Sequence, residues 1–254
     1  MYKQKAKNAR LAVLDMLYNA QTSHIGSNFS VIDIMTVLFD KMNKEDKVIL
    51  SAGWKAASFY YFLKKQGHDI DLDTYCQEGS NLIGLTEPGV PGVLFAGGSM
   101  QMGLPAAVGF ALSKKMKGED GKVFCLMSDG ELSGGMIWES ALIAVHYELD
   151  NLVIIVDQNG FQAMGTTQSI LGNERGSLFF PGTGFYKRSI NGHDHKAIEE
   201  SLIYEDGWAL DPLVIFANTV KGKGVSFMEN NNLYHYKNLS EDEYLKAKAE
   251  IQNG

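Results

Sequence analysis

The stretch from Val123 to Gly160, VFCLMSDGELSGGMIWESALIAVHYELDNLVIIVDQNG, limits the fold of this chain more than any other. It holds two apolar runs, VFCLM and LVIIV, each followed by a polar turn, with a helix-length segment between them. Apolar runs without alternation suit strands covered on both faces, as in a parallel sheet. A strand–helix–strand unit of this kind brings both turns to the carboxyl edge of the sheet, side by side. Asp129 closes the first turn and Asn159 the second, so two oxygen ligands are expected at one rim.

The rest of the chain alternates in the same manner. Leucines at helical spacing predict a helix from about Ala6 to Asn19, followed by a polar loop, QTSHIGSN, that exposes His24. Ser30 and Asp33 have capping-box spacing ahead of IMTVLF, so a second helix is expected to begin there. A strand, KVIL, ends at Ser51-Ala52-Gly53, and the helix WKAASFYYFLKKQ follows, with Trp54 at the strand-to-helix turn. From about Gly67 to Gly97 the chain reads as a long loop over one sheet edge. The turn from Gly97 to Gly103 opens a helix of small residues, LPAAVGFALSK. A helix at HDHKAIEESL, a strand at PLVIFANTV and a polar tail helix from about residue 240, capped by Ser240 and Glu243, complete the order. The expected class is α/β: one domain over residues 1–254, with a doubly wound, mostly parallel sheet and helices on both faces.

Composition narrows the function. At 254 residues and 45% hydrophobic, the chain has material for one large core. A net charge of −7 gives neither nucleic acid nor an anionic membrane a reason to bind. No signal peptide or membrane span is evident, and a cytoplasmic protein is expected. Cys76 and Cys125 are too few and too far apart for a disulfide framework or zinc site, and read as reduced thiols. KGKGVS lacks the P-loop spacing, and GGSMQMG lacks that of a dinucleotide turn. His193 and His195 are read as loop histidines beside a helix rather than as a metal pair. The carboxylate and amide at Asp129 and Asn159 are hard ligands, suited to Mg²⁺ or Ca²⁺ bridging to phosphate.

The segment SDGELSGGMIWESALIAVHYELDNLVIIVDQN resembles the thiamine diphosphate motif, G-D-G followed by Asn after about thirty residues, in the version found in transketolases. SHIGSNFSVIDIM looks like that family's G-H-P-G-S-x-x-S, and VILSAGWKAASFYYFL like its V-L-S-K-G-H-A-A-x-x-L-Y. AGGSMQMGLPAAVGFAL is similar to T-G-S-L-G-Q-G-x-x-x-A-V-G-M-A, and ANTVKGKGVSFMENNNLYH matches the closing motif that ends in Trp-His. Ordered motifs along nearly the whole chain make the likeness specific. It is that of an N-terminal transketolase subunit, the diphosphate-binding domain of a split enzyme.

The resemblance implies roles. Asp129, Asn159 and the carbonyl of Phe161 would ligate Mg²⁺ or Ca²⁺, and the metal would hold the diphosphate of thiamine diphosphate. Gly130's backbone and the side chains of Ser27, Lys221 and His235 would contact cofactor or donor sugar, with Gly98 and Met100 meeting the aminopyrimidine. His24 and His235 would face the donor's hydroxyls and the thiazolium, and Glu139 would join a carboxylate network across the interface with a partner. Three positions depart from the pattern: Trp54 stands for a histidine at the cofactor and donor site, Gly134 for a cofactor-site glutamate, and Ser128 for the first Gly of G-D-G. Polar contacts near diphosphate and donor are expected to be lost at Trp54 and Gly134. The sequence stops at Gly254 before the family's second domain, so the resemblance implies a partner chain carrying the pyrimidine-binding domain, in an α2β2 assembly. Other readings stay open: a deoxyxylulose phosphate synthase relative, the α chain of a 2-oxo acid dehydrogenase, or a non-catalytic regulatory paralogue. The V-K-G-K-G-V-S-F-M-E-N-N ending with His235 favours transketolase.

Overall fold

The computed structural model describes residues 1–172, 184–203 and 211–254. Among these, β1 (Lys47–Leu50), β2 (Val123–Ser128), β3 (Leu152–Gln158), β4 (Tyr186–Asn191) and β5 (Leu213–Asn218) form a sheet in the order β1-β2-β3-β5-β4, parallel throughout. The helices are α1 (Tyr2–Asn19), α2 (Ile25–Ser30), α3 (Ile32–Lys41), α4 (Ala56–Lys65), α5 (Gly103–Lys117) and α6 (Gly135–His146), with later ones at Thr167–Leu171, His195–Ser201 and Glu241–Asn253.

Side chains alternate across a strand, and here both sets are apolar because both faces are covered. Leu50, Phe124, Leu126, Val153 and Ile155 pack with residues of α1 to α4 such as Leu14, Phe29, Met35 and Phe59. Ile49, Cys125, Met127, Ile154 and Val156 pack on the other side with Leu104, Ala107 and Ala111 of α5 and Ile137, Ala141 and Ala144 of α6. The doubly wound parallel sheet expected from the sequence is therefore present. Its register sets Ser128 beside Asp157 and Gln158 beside Asn218. The residues just past four strands, Ser51, Asp129, Asn159 and Thr219, thus share one rim.

Two local expectations are corrected, and one strand was not foreseen. The loop predicted around His24 ends at that residue, whose φ of 74° is left-handed, and α2 then buries all of Ile25–Ser30. Ser30 and Asp33 do not form a capping box, since α3 has Val31 at its N-cap and no side-chain cap there. Both side chains are instead drawn into tertiary bonds: the Ser30 hydroxyl donates to Asp157 at 2.6 Å, and Asp33 binds Arg10, His193 and His195. Strand β4 has no counterpart in the sequence reading, because YKRSIN is a half-exposed edge strand without an apolar run.

Other expectations hold. Ser240 and Glu243 do form a capping box, worth about 1 kcal/mol to the last helix. His193 Nδ1 and His195 Nε2 bond to the two oxygens of Asp33 at 2.8 and 2.9 Å. Cys76 and Cys125 are unpaired. Among the described residues, no helix is long and apolar enough to cross a membrane.

Candidate functional site

Asp129 leaves β2 into a 3₁₀ turn, Asp129–Ser133, and is 3% exposed. Its Oδ1 accepts from the Gly130 N–H at 2.9 Å and its Oδ2 from the Gly160 N–H at 2.7 Å, which joins the two turns. Burial, with the nearby Asp157 carboxylate adding to it, pushes its pKa up from 3.8 to about 7. A cation beside it would favour the ionised form. Asn159 follows β3, buried, with its Nδ2 donating to Asp157 at 2.9 Å and its Oδ1 accepting from the Phe161 N–H at 3.0 Å. Phe161 itself starts the next turn, its ring 5.5 Å from the Lys221 ammonium.

Beneath this pair lies a buried charge couple that sequence reasoning missed. Lys55, from the turn ahead of α4, pairs with Asp157 on β3, and both side chains are 0% exposed. Burial alone would raise the pKa of Asp157, but the Lys55 ammonium and the hydrogen bonds from Lys55, Ser30 and Thr219 together hold the carboxyl below its ordinary value. Two signals were available: a lysine inside an otherwise apolar helix start, and an aspartate ending an apolar strand.

Glu131 is a second missed residue. It is fully buried, and burial raises its pKa although Ser51 Oγ (2.5 Å), Ser128 N–H (2.8 Å) and Gln101 N–H (3.1 Å) all donate to it. One carboxylate therefore ties the end of β1, the end of β2 and the turn before α5. That turn carries Gly98 and Met100, both exposed at the rim. Its Gln101 sits at φ 75° and lays its carboxamide where a side chain at 134 would start. The Gln101 carboxamide thus fills the space that a longer side chain at 134 would take. A β-carbon at 134 would overlap only the far end of the Gln101 side chain, which can turn aside, so Gly134→Ala is expected to displace that amide with little change in melting temperature. A melting temperature lower by more than about 4 °C would show that Gln101 is held in place.

On the far side of the rim, the His24 and His235 rings lie edge to face, 5.0 Å between centroids, and the His24 N–H donates to the His235 carbonyl at 2.9 Å. Lys221 is fully buried, with its Nζ 2.7 Å from Asn232 Oδ1 and 3.0 Å from His235 Nδ1. Burial, then the charge of Lys55, brings Lys221 down to about 8. Burial, then the charge of Lys221, brings His24 to about 4 and His235 to about 3, so both imidazoles are neutral at pH 7. An ammonium only donates, hence His235 accepts at Nδ1 and carries its proton at Nε2. Ser27 is buried on α2, and Trp54 is half-buried with its carbonyl held by Asn28 Nδ2 at 3.2 Å. Glu139 is exposed on α6 and makes no hydrogen bond with these groups.

The donor set fits a divalent cation bridging to a diphosphate. Among the described residues no group of three His, Cys, Asp or Glu could hold a metal by itself, so a cation at Asp129, Asn159 and the Phe161 carbonyl would take further oxygens from its ligand. A buried donor is also left over: Gln162 Nε2 has no partner, and its side chain lies against Gly130, its Cγ 3.0 Å from where a β-carbon there would stand.

The chain matches the family model described as transketolase, thiamine diphosphate binding domain, over residues 1–252. It is 34% identical over 266 residues to an apulose-4-phosphate transketolase subunit of Actinobacillus succinogenes, covering 98% of this chain and 95% of that one. It is 29% identical over 261 residues to a 6-deoxy-6-sulfo-D-fructose transketolase subunit of a Clostridium species, covering 98% and 95%. Among solved structures, transketolase from Campylobacter jejuni superposes with a TM-score of 0.91 at 30% identity, covering 99% of this chain and 43% of that one. The chain therefore spans less than half the length of that enzyme. With the rim geometry and these likenesses together, the chain belongs to the transketolase thiamine diphosphate-binding domain family.

Proposed function

We propose that this protein is the diphosphate-binding subunit of a two-component transketolase, moving a two-carbon ketol unit from a ketose, phosphorylated or not, to an aldose acceptor. The observation that carries it is the buried Asp129 and Asn159 pair at one sheet rim, faced by Lys221 and two neutral imidazoles. Bound thiamine diphosphate supplies the carbanion on which ketol transfer depends. Asp129, Asn159 and the Phe161 carbonyl would hold Mg²⁺ or Ca²⁺, through which the diphosphate would be bound. Gly130, Ser27 and Lys221 line its path, with Trp54, Gly98 and Met100 on the side of the rings. His235, with its proton at Nε2, donates to a donor hydroxyl, and His24 takes or returns a proton beside it. Glu139 lies at the interface with the partner.

A partner chain with the pyrimidine-binding domain completes the site. Two facts support this: the relatives are named as subunits, and α5 and α6 expose Phe110, Met136, Leu142 and Ile143 while the turn ahead of α5 exposes Met100 and Met102. We assign an α2β2 assembly in the cytoplasm. The test is glycolaldehyde transfer with saturating cofactor and Mg²⁺. The chain alone is expected to be silent and the reconstituted pair active; turnover by the chain alone removes the shared site, and a silent pair on every ketose removes the activity.

A further inference from the structure

A buried ion pair is weak evidence of stability, because desolvating two charges costs several kcal/mol and an apolar pair of like volume often does as well. Lys55 and Asp157, both without solvent exposure, therefore call for another explanation. The motif V-L-S-K-G-H-A-A, which this segment resembles, has its lysine three places earlier, where this chain has Ala52.

Its geometry supplies the explanation. Asp157 accepts from Lys55, from Ser30 at 2.6 Å and from Asn159 Nδ2 at 2.9 Å on Oδ2, and from Thr219 on Oδ1. A carboxylate only accepts, so Asn159 must turn its amide nitrogen inward, which leaves its oxygen to accept from the Phe161 N–H at 3.0 Å. The opposite rotamer would set oxygen against oxygen in a dry interior. Asp157 can impose this only while its own rotamer is fixed, and Lys55 is the one cation bonded to it among the described residues.

We propose that Lys55, acting through Asp157, is the positioning residue that orients the Asn159 side chain for metal binding. The inference rests on the reading of Asn159 as a ligand. Loss of such a supporting residue costs about 10- to 100-fold in metal affinity.

The test uses the full chain and two readouts. The first is hydrogen exchange of the Asn159 side-chain amide by NMR without ligand, and the second is Mg²⁺-dependent binding of thiamine diphosphate by calorimetry. Lys55→Met is expected to lose amide protection and about tenfold or more in affinity, and Lys55→Arg to keep both. If Lys55→Met does not fold, Lys55→Met/Asp157→Asn removes both charges, and it is expected to fold with the amide still unprotected. A folded double variant with wild-type protection and affinity overturns the proposal. Asn159→Ala separates the two layers: unchanged affinity there defeats the ligand reading, while the amide protection still decides the role of Lys55.

Discussion

Asp129→Asn is expected to abolish Mg²⁺-dependent binding of thiamine diphosphate and to change how the metal-free protein responds to pH. Because its pKa rises from 3.8 to about 7, the folded chain keeps a proton that the unfolded chain has lost in that window. Stability of the metal-free form then falls as pH rises through it, by on the order of 4 kcal/mol in all. His24 and His235 act in the opposite sense. Depressed to about 4 and about 3, they lose stability as pH falls below the ordinary 6.5, when the unfolded chain takes up protons that the folded one does not. The Asp129 contribution is therefore read as a difference: between about pH 7 and pH 5 the wild type should gain on Asp129→Asn in chemical denaturation. Metal binding must expel the same proton, so affinity should fall about tenfold per pH unit below about 7. A parallel pH course for both proteins would contradict this account.

Gly53→Ala is expected to have the largest effect on stability. Gly53 is buried at the end of β1, and a β-carbon there would overlap the carbonyl, carbon and Cα of Gly97. Gly97 in turn is held against Thr86, whose carbonyl accepts its N–H at 2.8 Å. Two backbones are in contact, so no rotamer change relieves the overlap, in contrast to the flexible Gln101 amide above Gly134. A loss of about 3 kcal/mol, at the upper end for overpacking, corresponds to a melting point lower by about 10 °C. The turn from Gly97 to Met100 should also shift from the rim, weakening cofactor binding in the assembled enzyme. A variant that melts with the wild type refutes the close approach.

Local sequence was enough to place the sheet's central strands, the turns at Asp129 and Asn159, the helix opened at Gly103 and the cap at Ser240. Each of these rests on neighbours within a few residues, through apolar runs, glycine turns or capping spacing. Strand β4 was not legible, since an exposed edge leaves no apolar pattern. The destinations of the buried polar groups, by contrast, emerge only on packing. Ser30 finds Asp157 across 127 residues, and Asp33 finds His193 across 160. Ser30 and Asp33 have local capping spacing, yet a buried donor or acceptor bonds to whatever packing brings within reach. The same holds for Lys55 under Asn159 and Gln101 over Gly134, where contact between separate elements made the site.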